Sequence, residues 1–277
     1  MLSNASLYSE HHSMQVHDTK LFLMNTVSLM DWTNQSHDVV MDIGCGPGNS
    51  CHKLLLPYFP NVKKVIAVDV LPEMIEYAQK YNCHPKIEYH VANIERKETI
   101  ERWRGEISKV ISIYCFNWLK DQQQAFSNIY EALKPGGEAA LLFVLSTPFW
   151  DSYKDHIQNP KWSTFLKNVE QRIPNSHFQK YKAAYYEDLL KTIGFDIIVC
   201  EDEQRKFAYP SDDDCRAACA SRCALTSHIP LDLRKEFEEE LFQGFLKYNG
   251  RNTDGLPELQ YLTLTILIRK HLTVKSS

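Results

Sequence analysis

Three glycines at alternate positions follow an apolar run that contains a single acid. Residues 39–49 read Val-Val-Met-Asp-Ile-Gly-Cys-Gly-Pro-Gly-Asn, and the glycines of this run are Gly44, Gly46 and Gly48. Glycine suits a tight turn that a ligand approaches closely. A dinucleotide fingerprint, G-x-G-x-x-G, would need its third glycine at Asn49, which makes a nicotinamide enzyme a poor match. The loop favours a nucleoside with an amino-acid tail, whose cationic amine Asp42 could hold.

Polar groups also end the next two predicted strands. Asp69 closes a β-branched run, and its carboxylate could accept both hydroxyls of a ribose. Asn93 follows the third strand, where its amide could read an adenine amino group. A strand-end acid can also simply cap a helix. In open α/β sheets, however, ligands bind at the carboxyl ends of the strands where the topology reverses, so the joint pattern predicts a nucleoside site.

Strands and helices alternate from residue 39 onward, which predicts a mostly parallel sheet with helices on both faces. The predicted strands are residues 39–43, 64–70, 87–91, 110–114, 139–145, 195–200 and 261–269. Residues 134–138, Lys-Pro-Gly-Gly-Glu, predict a sharp turn. We expect one domain over residues 1–277, with an N-terminal helical lid at residues 1–31 and substrate-cap insertions at residues 146–182 and 211–250.

Composition excludes several classes of protein. A net charge of −4 and a pI near 6.3 give no basic footprint for nucleic acid. No apolar run reaches membrane-spanning length and the N-terminus lacks a signal-peptide pattern, so we expect a cytoplasmic protein with reduced cysteines and no membrane partner. Cys215, Cys219 and Cys223 predict an apolar helix stripe, because their neighbours supply no fourth metal ligand. The amphipathic segment 233–246 could pack internally or form a homodimer.

Three motifs together resemble the class I S-adenosylmethionine-dependent methyltransferases. They are Asp-Ile-Gly-Cys-Gly-Pro-Gly at 42–48, Val-Asp-Val at 68–70 and Leu-Lys-Pro-Gly-Gly-Glu at 133–138. The resemblance implies a Rossmann-like, seven-stranded α/β sheet, mostly parallel with the last strand antiparallel, under a helical cap formed by the inserts. It also implies S-adenosyl-L-methionine as cofactor and S-adenosyl-L-homocysteine as product.

The same resemblance assigns the cofactor contacts by position. It implies that Asp42 and the three glycines cradle the methionine moiety, and that Asp69 holds the ribose. Asn93 stands where the wider family often has Asp, and an amide can make an equivalent contact to adenine. The predicted contacts are completed by Val70, Ile94 and Cys115.

The residue types around the predicted site bear on which nucleophile accepts the methyl group. Methyl transfer needs a nucleophile held in line with the methyl group. A carboxylate, with a reference pKa of about 4.3, is already an anion at neutral pH and needs no general base. We expect no metal, because no His, Asp or Glu grouping near a strand end has ligand spacing. At the end of the fourth strand, Trp118 could donate its indole N–H to one carboxylate oxygen, and the Gln15 amide could donate a second hydrogen bond.

The transfer destroys charge, which a dry, apolar pocket favours. In the first insert, Phe149, Trp150 and Trp162 could line such a pocket for a long apolar acid, although they could equally form the core of the cap. The predicted partner is therefore a small apolar carboxylic acid.

A closer similarity extends over essentially the full length. Four segments are similar to the insect juvenile hormone acid O-methyltransferase family, namely residues 5–8, 15–18, 114–119 and 121–126. The similarity implies methyl esterification of a sesquiterpenoid acid, juvenile hormone acid or farnesoic acid, with Gln15 and Trp118 around its carboxylate. Two alternatives stay open: a methyltransferase for another small acid or an amine, and a non-catalytic cofactor-binding regulator. The sequence does not choose between the epoxidised acid and its precursor.

Overall fold

The computed structural model describes residues 13–33, 35–167, 173–222 and 225–272. Its strands are β1 Val39–Ile43, β2 Lys64–Asp69, β3 Ile87–Val91, β4 Ile107–Ile113, β5 Leu133–Ser146, β6 Phe195–Ala208 and β7 Glu258–Lys270. Its helices are α1 Ser13–Asn25, α2 Leu56–Tyr58 (preceded by a π-helical turn, Cys51–Leu55), α3 Pro72–Tyr81, α4 Lys97–Ile100, α5 Gln122–Ala132, α6 Phe149–Gln158, α7 Asn175–Gln179, α8 Ala183–Ile193, α9 Asp212–Arg222 and α10 Arg234–Asn249.

The seven strands form one sheet in the order β3-β2-β1-β4-β5-β7-β6. Neighbours from β3 to β5 are parallel, and the last strand, β7, runs antiparallel between β5 and β6. The predicted fold class is confirmed. The strand order reverses between β1 and β4, so a ligand of this fold belongs at the carboxyl ends of those two strands.

Buried apolar runs explain the central strands. All five residues of β1 are buried, as is typical of a parallel strand covered on both faces. Phe22 and Val27, from α1 and the turn after it, pack in the same core as Val40 and Leu142 of the sheet. Helix α1, which lies in the predicted N-terminal lid at residues 1–31, ends at Asn25. Residues 1–12 of that lid lie outside the described residues.

The turn predicted at residues 134–138 is wrong in one respect, because these residues lie within β5. β4 residues Ile107 and Lys109 pair with Leu133 and Glu138 respectively, so the four intervening residues of β5 bulge out of the ladder. Gly136 has φ +75°, which permits this bulge.

The chain divides into two compact units. Of the described residues, the first contains 13–14, 144–167, 173–180, 203–222 and 225–263, and includes α6, α7, α9 and α10. The second contains residues 15–33, 35–143, 181–202 and 264–272, and includes the glycine loop and β1 to β4. The predicted lid and cap boundaries stay predictions.

The cysteine stripe predicted on a helix falls on α9. Cys215 and Cys219 of α9 are buried, whereas Cys223 lies outside the described residues. None of the described helices combines the length and the apolar character that crossing a bilayer requires.

A buried ion-pair network supports the second unit. The side chain of Glu138 is 0% exposed. It accepts hydrogen bonds from Lys109 Nζ at 2.8 Å, from Arg269 Nη2 at 2.7 Å and from the backbone N–H of Asp31 at 2.8 Å. Burial raises the pKa of Glu138, but the bonds from Lys109 and Arg269 outweigh it and leave the pKa below its ordinary value. The charged form of Glu138 is therefore the one that stabilises the fold.

Replacing this carboxylate should be costly. We expect Glu138→Gln to lower the free energy of unfolding by about 3–5 kcal/mol, because Lys109 is left buried without its counter-ion. Glu88→Gln is the control, since Glu88 pairs with Lys64 at 3.1 Å on the surface and should cost about 1 kcal/mol or less. Because the pKa of Glu138 is lowered, the wild-type advantage should begin to shrink as pH falls below 4.5. Urea unfolding at pH 7 and pH 4 measures both; equal losses for the two variants would contradict this view.

Candidate active site

The glycine loop turns tightly at the end of β1. All three glycines have left-handed backbone angles, with φ +76° at Gly44, +54° at Gly46 and +82° at Gly48. The N–H groups of Gly44 and Cys45 both donate to the carbonyl of Val68, at 2.8 and 3.0 Å, which fastens the loop to β2. A Cβ on Gly44 would lie 2.5 Å from Cys115 Sγ. The first glycine is therefore needed for its backbone angle and because Cys115 packs directly against it.

Asp42 is a buried acid beneath this loop. Burial raises its pKa to about 7; the Cys51 thiol donates a hydrogen bond that lowers the pKa, and the charge of Asp69 raises it further. No cationic side chain pairs with Asp42 among the residues that the structure describes. A buried carboxylate in that state is suited to a ligand that brings its own positive charge.

This pKa gives a pH test of the predicted contact. If Asp42 holds a cationic amine, affinity for S-adenosylmethionine should fall as pH drops below 7, approaching tenfold per pH unit as the carboxylate gains a proton. Asp42→Asn should bind weakly at every pH between 5.5 and 7.5. Calorimetric titrations across this range would measure both profiles, and an unchanged affinity in Asp42→Asn would refute the assignment.

The stability of the ligand-free Asp42→Asn variant tests independently whether the pKa of Asp42 is raised. The pKa of Asp42 is higher in the folded protein than its ordinary 3.8, so the folded state loses stability as pH rises from about 4 to 7. Asp42→Asn should therefore be more stable than wild type at pH 8, and the difference should shrink toward pH 4.

Asp69 joins the end of β2 to the glycine loop. Its Oδ2 accepts the N–H of Gly46 and its Oδ1 accepts the N–H of Leu71, each at 2.9 Å. Burial raises the pKa of Asp69, while these two backbone hydrogen bonds lower it. Both oxygens keep an acceptor position, so the oriented carboxylate can still take ribose hydroxyls. Val70, which follows it, is exposed.

At the end of β3, Asn93 is already engaged in hydrogen bonds within the protein. Asn93 Oδ1 accepts the N–H of Glu95 at 2.9 Å, and its backbone bonds Thr99 in both directions. Oδ1 keeps a second acceptor position and Nδ2 is a donor, so the predicted contact of this amide with adenine stays a prediction. Ile94 is buried, and its carbonyl accepts from Asn128 Nδ2 at 2.7 Å.

The end of β4 carries a strained residue. Tyr114 has φ +58°, a conformation that a bulky residue adopts at a cost and that often marks a functional site. Cys115, against Gly44, follows it, and burial raises the pKa of its thiol. Trp118 lies in the 3₁₀ turn Phe116–Trp118 and is 41% exposed. With the Asn117 amide in the orientation that satisfies both its atoms, Asn117 Oδ1 accepts from Trp118 Nε1 at 3.0 Å.

Helix α1 is held to this strand end. The Tyr114 hydroxyl donates to Asp18 Oδ2. Gln15 lies one turn earlier on α1, is 8% exposed, and its Oε1 has no hydrogen-bond partner within the described residues. The predicted residues Gln15 and Trp118 thus lie on two segments that Tyr114 and Asp18 connect. Sequence reasoning missed that connection.

The predicted pocket aromatics lie in the first unit. Phe149 and Trp150 of α6 are buried, the first against Tyr153 and Phe245, the second against His177. Trp162 is fully buried, and its indole donates to Glu240 at 2.6 Å. All three rings therefore pack within that unit. Their role as pocket lining stays a prediction.

No cluster of three or more His, Cys, Asp or Glu side chains suited to a metal ion occurs in the described part of the chain.

Comparison with known proteins adds sequence relatives and structural neighbours. Residues 40–137 match the family model described as "Methyltransferase domain". The juvenile hormone acid O-methyltransferase of Drosophila melanogaster is 28% identical, over 95% of this chain and 89% of its own length. The protein of that name from Bombyx mori is 29% identical, over 86% of this chain and 84% of its own. A solved SAM-dependent methyltransferase from Anabaena variabilis shares the fold, with a TM-score of 0.56 at 15% identity, covering 96% of this chain and 95% of its own.

Proposed function

We propose that the chain is a class I S-adenosylmethionine-dependent methyltransferase and that its acceptor is the carboxylate of a small apolar acid. The proposed products are methyl esters of sesquiterpenoid acids such as juvenile hormone acid or farnesoic acid. The names of the two insect relatives support this acceptor class.

The residues at the ends of β1 and β2 fit the cofactor. When bound, S-adenosylmethionine supplies an electrophilic methyl group on a positively charged sulfur. Asp42, buried and without a cationic partner among the described residues, would take the cofactor's amine, and the oriented carboxylate of Asp69 would accept its ribose hydroxyls. The Asn93 amide would contact the adenine. The glycine loop would bring its backbone close to the amino-acid tail of the cofactor. None of these residues has to accept or donate a proton during the transfer.

The observation that carries the acceptor proposal is the buried amide of Gln15. Rotation of that amide exchanges Oε1 and Nε2, so the same position can present an N–H to an anion. Trp118 can present a second neutral donor, because a carboxylate is a stronger hydrogen-bond acceptor than the Asn117 amide that now accepts from the indole. Two neutral donors orient a carboxylate without neutralising the charge that makes it a nucleophile. An acid already ionised at pH 7 needs no general base.

A methyl-transfer screen tests the proposal. The wild-type protein would be supplied with methyl-labelled S-adenosylmethionine and a panel of farnesoic acid, juvenile hormone acid, short dicarboxylic acids and primary amines. We expect labelled esters of the two sesquiterpenoid acids. Transfer confined to amines or dicarboxylic acids would favour the same fold with a different acceptor. Cofactor binding without any transfer would favour a regulatory protein.

A further inference from the structure

Two buried polar atoms lie one turn apart on α1. Gln15 Oε1 and Thr19 Oγ1 both lack a hydrogen-bond partner within the part of the chain that the structure describes. Thr19 is 1% exposed. Residues four positions apart share one face of a helix, so the two atoms belong to one local site. Buried polar atoms are nearly always paired in folded proteins, and an unpaired couple therefore indicates a ligand position.

Thr19 differs from two other hydroxyls in the described α-helices, those of Ser127 and Thr192. Ser127 donates to the carbonyl four residues earlier at 2.9 Å, and Thr192 does the same at 2.8 Å. This bond to the preceding turn is the usual way in which a hydroxyl is satisfied inside a helix. Thr19 makes no such bond to the carbonyl of Gln15. Its hydroxyl is therefore available to a group outside the helix.

A hydrogen bond between α1 and the end of β4 places the Thr19 hydroxyl near the proposed acceptor site. Asp18, the neighbour of Thr19, accepts from the Tyr114 hydroxyl at the end of β4. Tyr114 precedes Cys115, which packs against Gly44 of the glycine loop. Consecutive helical residues point about 100° apart, so Asp18 engages Tyr114 while Thr19 faces the same side as Gln15.

The buried face of α1 offers neutral donors and no cation. His17 and Lys20 are exposed, and the described part of α1 has no buried lysine, arginine or histidine. The buried acid beside Thr19, Asp18, accepts the hydrogen bond of the Tyr114 hydroxyl. We propose that the Thr19 hydroxyl is a third neutral donor to the substrate carboxylate, beside Gln15 and Trp118. The inference rests on the proposed function and adds a residue that selects for an anionic acceptor.

Three variants test this role. Thr19→Val keeps the shape and removes the hydroxyl, Thr19→Ser keeps the hydroxyl, and Thr192→Val removes a surface helix hydroxyl as a matched control. With farnesoic acid, Thr19→Val should raise KM on the order of tenfold or more, the loss expected for one hydrogen bond to a charged group. The Kd for S-adenosylmethionine should stay within about twofold. Thr19→Ser and Thr192→Val should keep KM within about threefold of wild type.

Stability separates this role from simple packing. Valine removes a buried, unpaired hydroxyl, so the Tm of ligand-free Thr19→Val should equal or exceed that of wild type, measured by thermal unfolding. A wild-type KM in Thr19→Val would overturn the inference and leave the proposed function standing. A lowered Tm with no rescue by serine, or a parallel rise in the Kd for S-adenosylmethionine, would also overturn it. If wild type esterifies no acid, the proposed function itself fails.

Discussion

Trp118→Phe is expected to lower kcat/KM for farnesoic acid by about 10–100-fold, because it removes one hydrogen-bond donor to a charged group. The ring is 41% exposed, so the loss of the indole should barely alter the free energy of unfolding. The Kd for S-adenosylmethionine should change by less than about threefold, since Trp118 is assigned to the acceptor. Steady-state kinetics and cofactor titration measure the two quantities separately.

A second tryptophan of the same unit provides the matched control. Trp32 donates its indole N–H to the carbonyl of Val27 at 2.9 Å and stacks on Phe59. Trp32→Phe should lower stability by about 1 kcal/mol and leave kcat/KM unchanged. If Trp118→Phe behaved like Trp32→Phe, losing stability but keeping its rate, the donor role of Trp118 would be wrong.

Gly44→Ala is expected to have the other large effect, on the cofactor. The new Cβ would collide with the Cβ and Sγ of Cys115, and φ +76° would strain any residue with a side chain. The loop must then move, so affinity for S-adenosylmethionine should fall by about 100-fold or more, as an order of magnitude for disrupting a positioned site. Calorimetric titration would measure the affinity, and urea unfolding the stability.

The Gly105→Ala variant separates the effect of backbone strain from that of steric collision. It has φ +70°, and a Cβ there would meet nothing within 4 Å. Gly105→Ala should therefore cost only the backbone strain, about 1–2 kcal/mol, with normal cofactor affinity. Adding Cys115→Gly to Gly44→Ala should recover part of the lost stability by removing the colliding atoms. Equal stability losses in the two single variants would show that the contact with Cys115 is unimportant.

The parts of the fold that were predictable have local causes. β1 and β3 match their predicted bounds. β1 is a fully buried apolar run, β3 alternates buried with more exposed residues, and adjacent loops bound both. The bulge inside β5 was not predicted, since Gly136 and its neighbours read as a turn whether or not a strand continues through it. The division into two units likewise follows from long-range packing that no local pattern contains.

For the candidate site too, local sequence patterns predict some residues and miss those that depend on long-range contacts. Asp42, Asp69 and the glycines could be proposed from the sequence because their spacing along the chain reflects the strand ends that they occupy. The strained backbone of Tyr114 could not be predicted, because a tyrosine is not expected in the left-handed region from its residue type. Its bond to Asp18 joins residues far apart in the chain. The unpaired hydroxyl of Thr19 could be recognised only once its helix and burial were known.

The most direct measurement is a single-turnover reaction with methyl-labelled S-adenosylmethionine, farnesoic acid and excess EDTA. The expected result is label in a methyl ester, formed in step with S-adenosylhomocysteine, at a rate that the chelator does not change. Ester formation that requires an added divalent ion, or label that never enters an ester of any acid, would contradict the account.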